Sequence, residues 1–71
     1  MRKQITANEV LFALEYGRQT LAHEPRNGWR LEPSQQKVPD RIASEAIRSS
    51  SVARISESRE GRVVYAWRMV A

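Results

Sequence analysis

The chain contains no cysteine, so disulfide bonds and zinc sites with cysteine ligands are excluded. The absence of cysteine is typical of a protein in the reducing cytoplasm, where we expect this one to lie. The single histidine, His23, cannot form a histidine metal site by itself. The glycines Gly28 and Gly61 stand alone, so there is no glycine-rich phosphate loop. We therefore expect no cofactor.

Long apolar runs are also missing. No stretch approaches the roughly 20 apolar residues that cross a bilayer. The basic start of the chain is not followed by an apolar segment, because Glu9 and Glu15 interrupt it. We therefore expect no signal peptide and no membrane partner. There are no repeats, low-complexity tracts or long linkers, so we predict one domain over residues 1–71.

Acidic residues are fewer than basic ones: 8 against 12, which gives a net charge of +4. Most of the basic residues are arginine, whose planar guanidinium suits bidentate contacts with phosphate or carboxylate. This balance favours an acidic partner, of which nucleic acid is the commonest. A basic but merely soluble surface fits the same charge.

The first predicted element is a helix. Thr6 and Glu9 have the spacing of a capping box, in which each side chain binds the other's backbone amide. Apolar residues then recur at helical spacing as far as Leu21, with Gly17 in the interior. We predict a helix over residues 7–22 and place His23 near its C-terminal end.

The middle of the chain predicts short extended pieces. A turn over residues 24–28 contains the pair Asn27-Gly28. Trp29 and Leu31 alternate with polar residues, which predicts a brief strand over residues 29–32. We expect a further turn over residues 33–36 and extended backbone over residues 37–38.

A second helix is predicted over residues 39–50. Pro39 suits a first helical turn, and Asp40 is favourable at the positive end of the helix dipole. Its apolar stripe consists of Val38, Ile42, Ala43, Ala46 and Ile47. Its polar face consists of Asp40, Arg41, Ser44, Glu45 and Arg48.

The chain closes with a predicted β-hairpin over residues 53–58 and 62–70, with a turn at Glu60-Gly61. In its second strand Val63, Tyr65, Trp67 and Met69 alternate onto one face. That strand is apolar on both faces, so we expect it in the middle of the sheet or covered by the first helix. The predicted fold class is a small α+β domain.

No pattern points to catalysis. The serines at 49–51 have no recognisable base, and Glu57 and Glu60 flank a turn where carboxylates are solvated. We expect that the protein is not an enzyme. Trp29, Tyr65 and Trp67 sit at alternating strand positions beside the apolar residues Leu31, Val63 and Met69, so core packing is favoured over base stacking. Phe12 and Tyr16 are predicted to lie in or at the rim of the core.

Arginine and lysine on the second helix and the hairpin are the candidate nucleic-acid contacts. The helix presents Arg41 and Arg48 on one face, from which they can reach bases or phosphates. The predicted contact residues are Lys37, Arg41, Ser44, Arg48, Arg54, Arg59 and Arg62. The same spacing also fits helical salt bridges of Glu45 with Arg41 and Arg48 on a solvated face.

The order of helix, short strand, helix and hairpin resembles a winged-helix domain. One stretch looks like a recognition helix that leads into the first strand of a wing: Val38-Pro39-Asp40-Arg41-Ile42-Ala43-Ser44-Glu45-Ala46-Ile47-Arg48-Ser49-Ser50-Ser51-Val52-Ala53-Arg54-Ile55.

This resemblance implies a small regulatory DNA-binding protein of bacterial or phage type, with a homodimer as one possible state. It implies that Arg41, Ser44, Glu45 and Arg48 face the groove and that the wing tip carries Arg59 and Arg62.

A second hypothesis keeps the scaffold and changes the partner. In it the domain is a protein-interaction module with no nucleic-acid binding, and an acidic protein is its partner. The contact surface would consist of Trp29 with Val64, Ala66 and Val70.

Overall fold

The computed structural model describes residues 5–68. Within them the chain is a small α+β domain with two helices and a five-stranded antiparallel sheet. The elements are α1 (Ala7–Glu15), β1 (Thr20–Glu24), β2 (Gly28–Glu32), β3 (Lys37–Val38), α2 (Asp40–Ile47), β4 (Val52–Glu57) and β5 (Val63–Trp67). The strand order is β3-β2-β1-β5-β4. Both helices pack on one face of this sheet and share one hydrophobic core with it.

The capping box that opens α1 is confirmed. The amide of Thr6 donates to Oε1 of Glu9 at 3.1 Å, and the amide of Glu9 donates to Oγ1 of Thr6 at 3.2 Å. Two of the four amides that a helix start leaves unpaired are satisfied in this way. The flanking residues Ile5 and Val10 are buried on either side of the cap.

The predicted extent of the first helix was wrong, because α1 ends at Glu15. Gly17 lies just beyond the helix, where an added Cβ would be 2.7 Å from the carbonyl oxygen of Ala13. Arg18 then adopts a left-handed conformation with φ of +53°. A non-glycine residue with positive φ cannot continue a right-handed helix, so the chain reverses and enters a strand.

The region predicted as the end of that helix contains β1, the central strand of the sheet. It pairs with β2 on one side and β5 on the other. Leu21 is 0% exposed. It was predicted on the apolar side of a helix, but it is buried as part of a strand. His23 is likewise in β1 and not at a helix end; its ring lies 4.6 Å from that of Trp29.

The other elements follow the sequence predictions closely. The turn between β1 and β2 is confirmed, and the strand at Trp29 is one residue longer than predicted. The second helix is confirmed, but it is shorter than predicted, since it covers residues 40–47 and not 39–50. On α2 the small residues Ala43 and Ala46 are fully buried, which lets the helix lie close to the core. Within the described residues, neither helix has the length and apolar character needed to cross a membrane.

The C-terminal hairpin is also confirmed. β5 lies between β1 and β4 and contacts α1, as its two apolar faces predicted. A β-bulge between Arg54 and Ser56 interrupts the pairing of β4, and the side chain of Ile55 is exposed there. Gly61 occupies the turn with φ of +90°, a conformation that favours glycine. The predicted strand residues Met69 and Val70 lie outside the described residues.

The aromatic residues divide into two groups. Trp29, Tyr65 and Trp67 pack against the core, as predicted. Phe12 and Tyr16 were predicted in or beside the core, and this was wrong: they are 64% and 66% exposed. Val10 and Leu14 already fill the inward side of the short helix, so the positions of Phe12 and Tyr16 point outward.

Candidate nucleic-acid interface

The outward side of α2 carries the polar face that the sequence predicted. Ala43 and Ala46 fix which side of the helix meets the core. Arg41, Ser44 and Arg48 lie on the opposite side, and all three are exposed. Their spacing of three and four residues places them along one stripe of the helix surface. A straight polyanion laid along α2 can therefore meet all three, and it also meets the exposed Glu45 on the same side.

A hydrogen bond joins the start of α2 to the sheet. The indole Nε1–H of Trp29 donates to Oδ1 of Asp40 at 2.7 Å. Trp29 is itself held by β2 and by ring contacts with His23 and Tyr65, at 4.6 and 5.7 Å between centroids. Asp40 is the first residue of α2, so this bond restricts the direction in which the helix leaves the sheet. The backbone position from which Arg41 extends is restricted along with it.

The strand register assigns the remaining predicted contact residues to different faces of the sheet. Side chains directly opposite each other on paired strands point to the same face. Arg54 is opposite the core residue Tyr65, so it lies on the face that carries the helices. Lys37 is opposite Arg30, which is opposite Ala22 on the face without helices. The structure therefore brings Arg54 to the side of α2 and turns Lys37 away from it.

Arg62 also lies on the face without helices, where it is engaged by a carboxylate. It forms an ion pair with Glu32 of β2, and this pair bridges β1 above Ala22, which is only 1% exposed. The hydrogen bond from the Arg62 side chain to Glu32 raises the pKa of the Arg62 guanidinium above its usual value. Arg30 continues the network through ion pairs with Glu24 and Glu32. The charges of this face largely compensate one another.

The tips of the two hairpins meet at one end of the sheet. An added Cβ on Gly61 would be 3.0 Å from Cγ of Pro25, so the β4–β5 turn touches the β1–β2 turn. The exposed Arg59 stands in the first turn, and the exposed Arg26 stands in the second. Sequence reasoning missed Arg26, because its position depends on recognising β1 as a strand.

A groove of about 420 Å³ runs between these two tips. Its lining includes Glu24 and Glu60 as well as Arg26 and Arg62, so its charge is mixed. Together with the exposed Arg59, the tip residues carry an excess of one positive charge. On the polar face of α2, Asp40 and Glu45 offset the charges of Arg41 and Arg48.

Ion pairing separates the predicted residues further. Arg54 lies 3.8 Å from Glu57, and Arg62 is held by Glu32. In residues 5–68, no ion pair includes Arg41, Arg48 or Arg59. The predicted helical salt bridges of Glu45 are therefore not formed. The two arginines of α2 keep their full hydrogen-bonding capacity for a partner.

The surface suggested for the protein-interaction alternative is divided by the sheet. Trp29 is opposite His23 and packs against the core on the helix-bearing face. Val64 is opposite Ala22 on the other face, where it is buried. One partner surface cannot contact Trp29 and Val64 together.

The described part of the chain contains no group of three or more histidine, aspartate and glutamate side chains arranged to hold a metal ion. Comparisons with protein-family models, with curated protein sequences and with solved structures found no match to this chain.

Proposed function

We propose that this protein binds duplex DNA through the outward side of α2, with the C-terminal hairpin as a second contact. The observation that carries the proposal is the pair Arg41 and Arg48, exposed on one helix face and free of ion pairs in residues 5–68. Two unpaired guanidinium groups on a helix are suited to phosphate oxygens and to the acceptor edge of guanine.

The arrangement of α2 and the β4–β5 hairpin supports a winged-helix-like interpretation. In that family a helix enters the major groove and the following hairpin contacts the backbone. Here β2 and β3 precede α2, and the Trp29–Asp40 hydrogen bond supplies a support for the helix. A supported helix loses less conformational freedom when it binds, which favours affinity.

The face assignments set a different role for each predicted residue. Arg41, Ser44 and Arg48 make the central contacts in this proposal, and Arg54 and Arg59 reach flanking phosphates. Arg62 lies on the face without helices and is paired with Glu32, so it makes no contact with DNA that is bound along α2. Lys37 points to the other face and acts only through its long-range field. The regulatory role and the homodimer stay predictions.

A titration of fluorescein-labelled duplex DNA with the full chain, followed by fluorescence anisotropy at low salt, tests the proposal. The informative variant is Arg41→Gln/Arg48→Gln, which removes two charges from α2 without touching the core. The matched control is Arg18→Asn/Lys37→Gln, which removes two charges elsewhere. Asparagine tolerates the positive φ of residue 18.

We expect the α2 variant to weaken binding at least about tenfold, since each good arginine contact contributes roughly 1 to 3 kcal/mol. The control should stay within about threefold of the parent protein. Equal losses in both variants would show diffuse attraction and would contradict an interface on α2. Single-stranded DNA and duplex RNA of the same sequence, tested in parallel, identify the preferred nucleic acid.

A further inference from the structure

The outward face of α1 presents two aromatic side chains that the fold does not use. Phe12 and Tyr16 are one helical turn apart, and their ring centroids lie 5.0 Å from each other. Both are exposed, although the side chains on the opposite side of α1 are buried. Single exposed apolar residues are ordinary on protein surfaces, but these two rings adjoin, with their planes inclined at 46°, and form a continuous apolar patch.

Carboxylates border this aromatic pair. Glu9 and Glu15 are exposed, and no ion pair within residues 5–68 includes either of them. Glu15 is also unfavourably placed for the helix itself. It stands in the last turn, where the helix dipole is negative and where α1 has no basic residue. No ion pair or side-chain hydrogen bond of residues 5–68 uses the Glu15 carboxylate.

A residue that disfavours its own helix and does not contribute to the core is typical of a binding surface. The aromatic pair and the carboxylate beside it can both be bound by the same kind of side chain. An arginine side chain can lie flat on an aromatic ring and donate hydrogen bonds to a carboxylate at the same time. We propose that the exposed face of α1 binds an arginine-bearing segment of a partner protein, with the guanidinium over Phe12 and Tyr16 and paired with Glu15.

The negative charge around the aromatic pair favours a cationic protein segment over nucleic acid or a second copy of this chain. Nucleic acid would meet Glu9 and Glu15 with like charge, which disfavours it here. Two copies of this chain joined through α1 would bring the same carboxylates together. A cationic protein segment is attracted, even though the chain as a whole carries a net charge of +4. The proposal is independent of the DNA interface, since its residues belong to α1 and not to α2.

The test uses the immobilised full chain and a phage-displayed library of random twelve-residue peptides. Enriched peptides are synthesised with a fluorophore, and their affinity is measured by anisotropy. We expect the enriched sequences to contain arginine beside an apolar residue. Replacing that arginine by glutamine should weaken binding about tenfold, which corresponds to about 1.4 kcal/mol.

Two protein variants locate the binding face. Phe12→Ser removes half of the aromatic surface from an exposed position. Glu15→Lys reverses the charge and improves the interaction with the helix dipole, so it should keep or raise the melting temperature while it weakens binding at least tenfold. A loss of binding in this variant therefore cannot come from unfolding. Arg41→Gln/Arg48→Gln should bind the peptides like the parent protein.

Three results would overturn the proposal: no peptide enriched over the bare support, enriched peptides that lack a cation, or affinities within twofold of the parent for both α1 variants. DNA binding measured on the same α1 variants separates the two proposals. If Phe12→Ser and Glu15→Lys bind DNA normally but no cationic peptide binds the parent chain, only the α1 proposal fails.

Discussion

Leu21→Ala is the perturbation that most sharply tests the assignment of residues 20–24 to the central strand. Leu21 is fully buried and lies between Leu31 of β2 and Tyr65 of β5 in the sheet register. Truncating a fully buried leucine removes its transfer free energy and leaves a cavity, at a cost of about 3 to 5 kcal/mol. A domain of 71 residues is expected to have a free energy of unfolding of roughly 4 to 10 kcal/mol. The substitution should therefore remove a large part of it.

Urea unfolding followed by circular dichroism measures the effect. For a small domain with an m-value of about 1 kcal/mol/M, the midpoint should fall by about 3 to 5 M. Leu21→Val, which loses one methylene and keeps a strand-favouring side chain, should cost about 1 kcal/mol. The control is Ile55→Ala at the exposed bulge, where the loss should stay below about 1 kcal/mol. A midpoint for Leu21→Ala no lower than that for Ile55→Ala would refute a central position of Leu21.

Three further predictions concern local features. Gly61→Ala should destabilise the protein more than Gly28→Ala. Both glycines have positive φ, but only at Gly61 would the new Cβ meet a neighbour, Cγ of Pro25 at 3.0 Å. Thermal melts should place both losses of stability at roughly 1 to 3 kcal/mol. Trp29→Phe removes the indole donor to Asp40 and should cost about 1 to 2 kcal/mol. A double-mutant cycle with Asp40→Ala, which removes the acceptor, should show coupling, whereas additive losses would contradict the hydrogen bond. Thr6→Ala breaks the capping box and should cost about 1 kcal/mol in urea unfolding, whereas no change would show that the cap is not formed in solution.

The parts of the fold that the sequence predicted are those encoded over a few neighbouring residues. The capping box needs only Thr6 and Glu9, three positions apart. The inward stripe of α2 follows from helical periodicity, and the hairpin follows from alternation around Gly61. In each case the local pattern and the tertiary structure agree.

The central strand was missed because its signal was ambiguous. Leu14 and Leu21 are spaced as on one helix face, yet the first belongs to α1 and the second to β1. Between them, at Gly17 and Arg18, the backbone changes conformation and the helix does not continue. Glycine inside a helical pattern is tolerated often enough that it did not mark the boundary.

The candidate site was predicted where it lies within one helix and missed where it depends on strand pairing. The outward face of α2 follows from periodicity within one element. The faces of Lys37 and Arg62 depend on pairing between strands distant in sequence, and the ion pair of Arg62 with Glu32 joins residues 30 positions apart. Sequence periodicity fixes the face of a residue within its own element, but cross-strand register decides its neighbours.

The most direct test of the DNA-binding proposal is the salt dependence of binding to duplex DNA. Each neutralised phosphate contributes about −0.9 to the slope of log Kobs against log salt concentration. If Arg41 and Arg48 each contact a phosphate, the slope of Arg41→Gln/Arg48→Gln should be shallower than the parent's by about 1.8. The Arg18→Asn/Lys37→Gln control should keep the parent slope. An unchanged slope in the α2 variant, or no binding by the parent chain at low salt, would contradict the proposal.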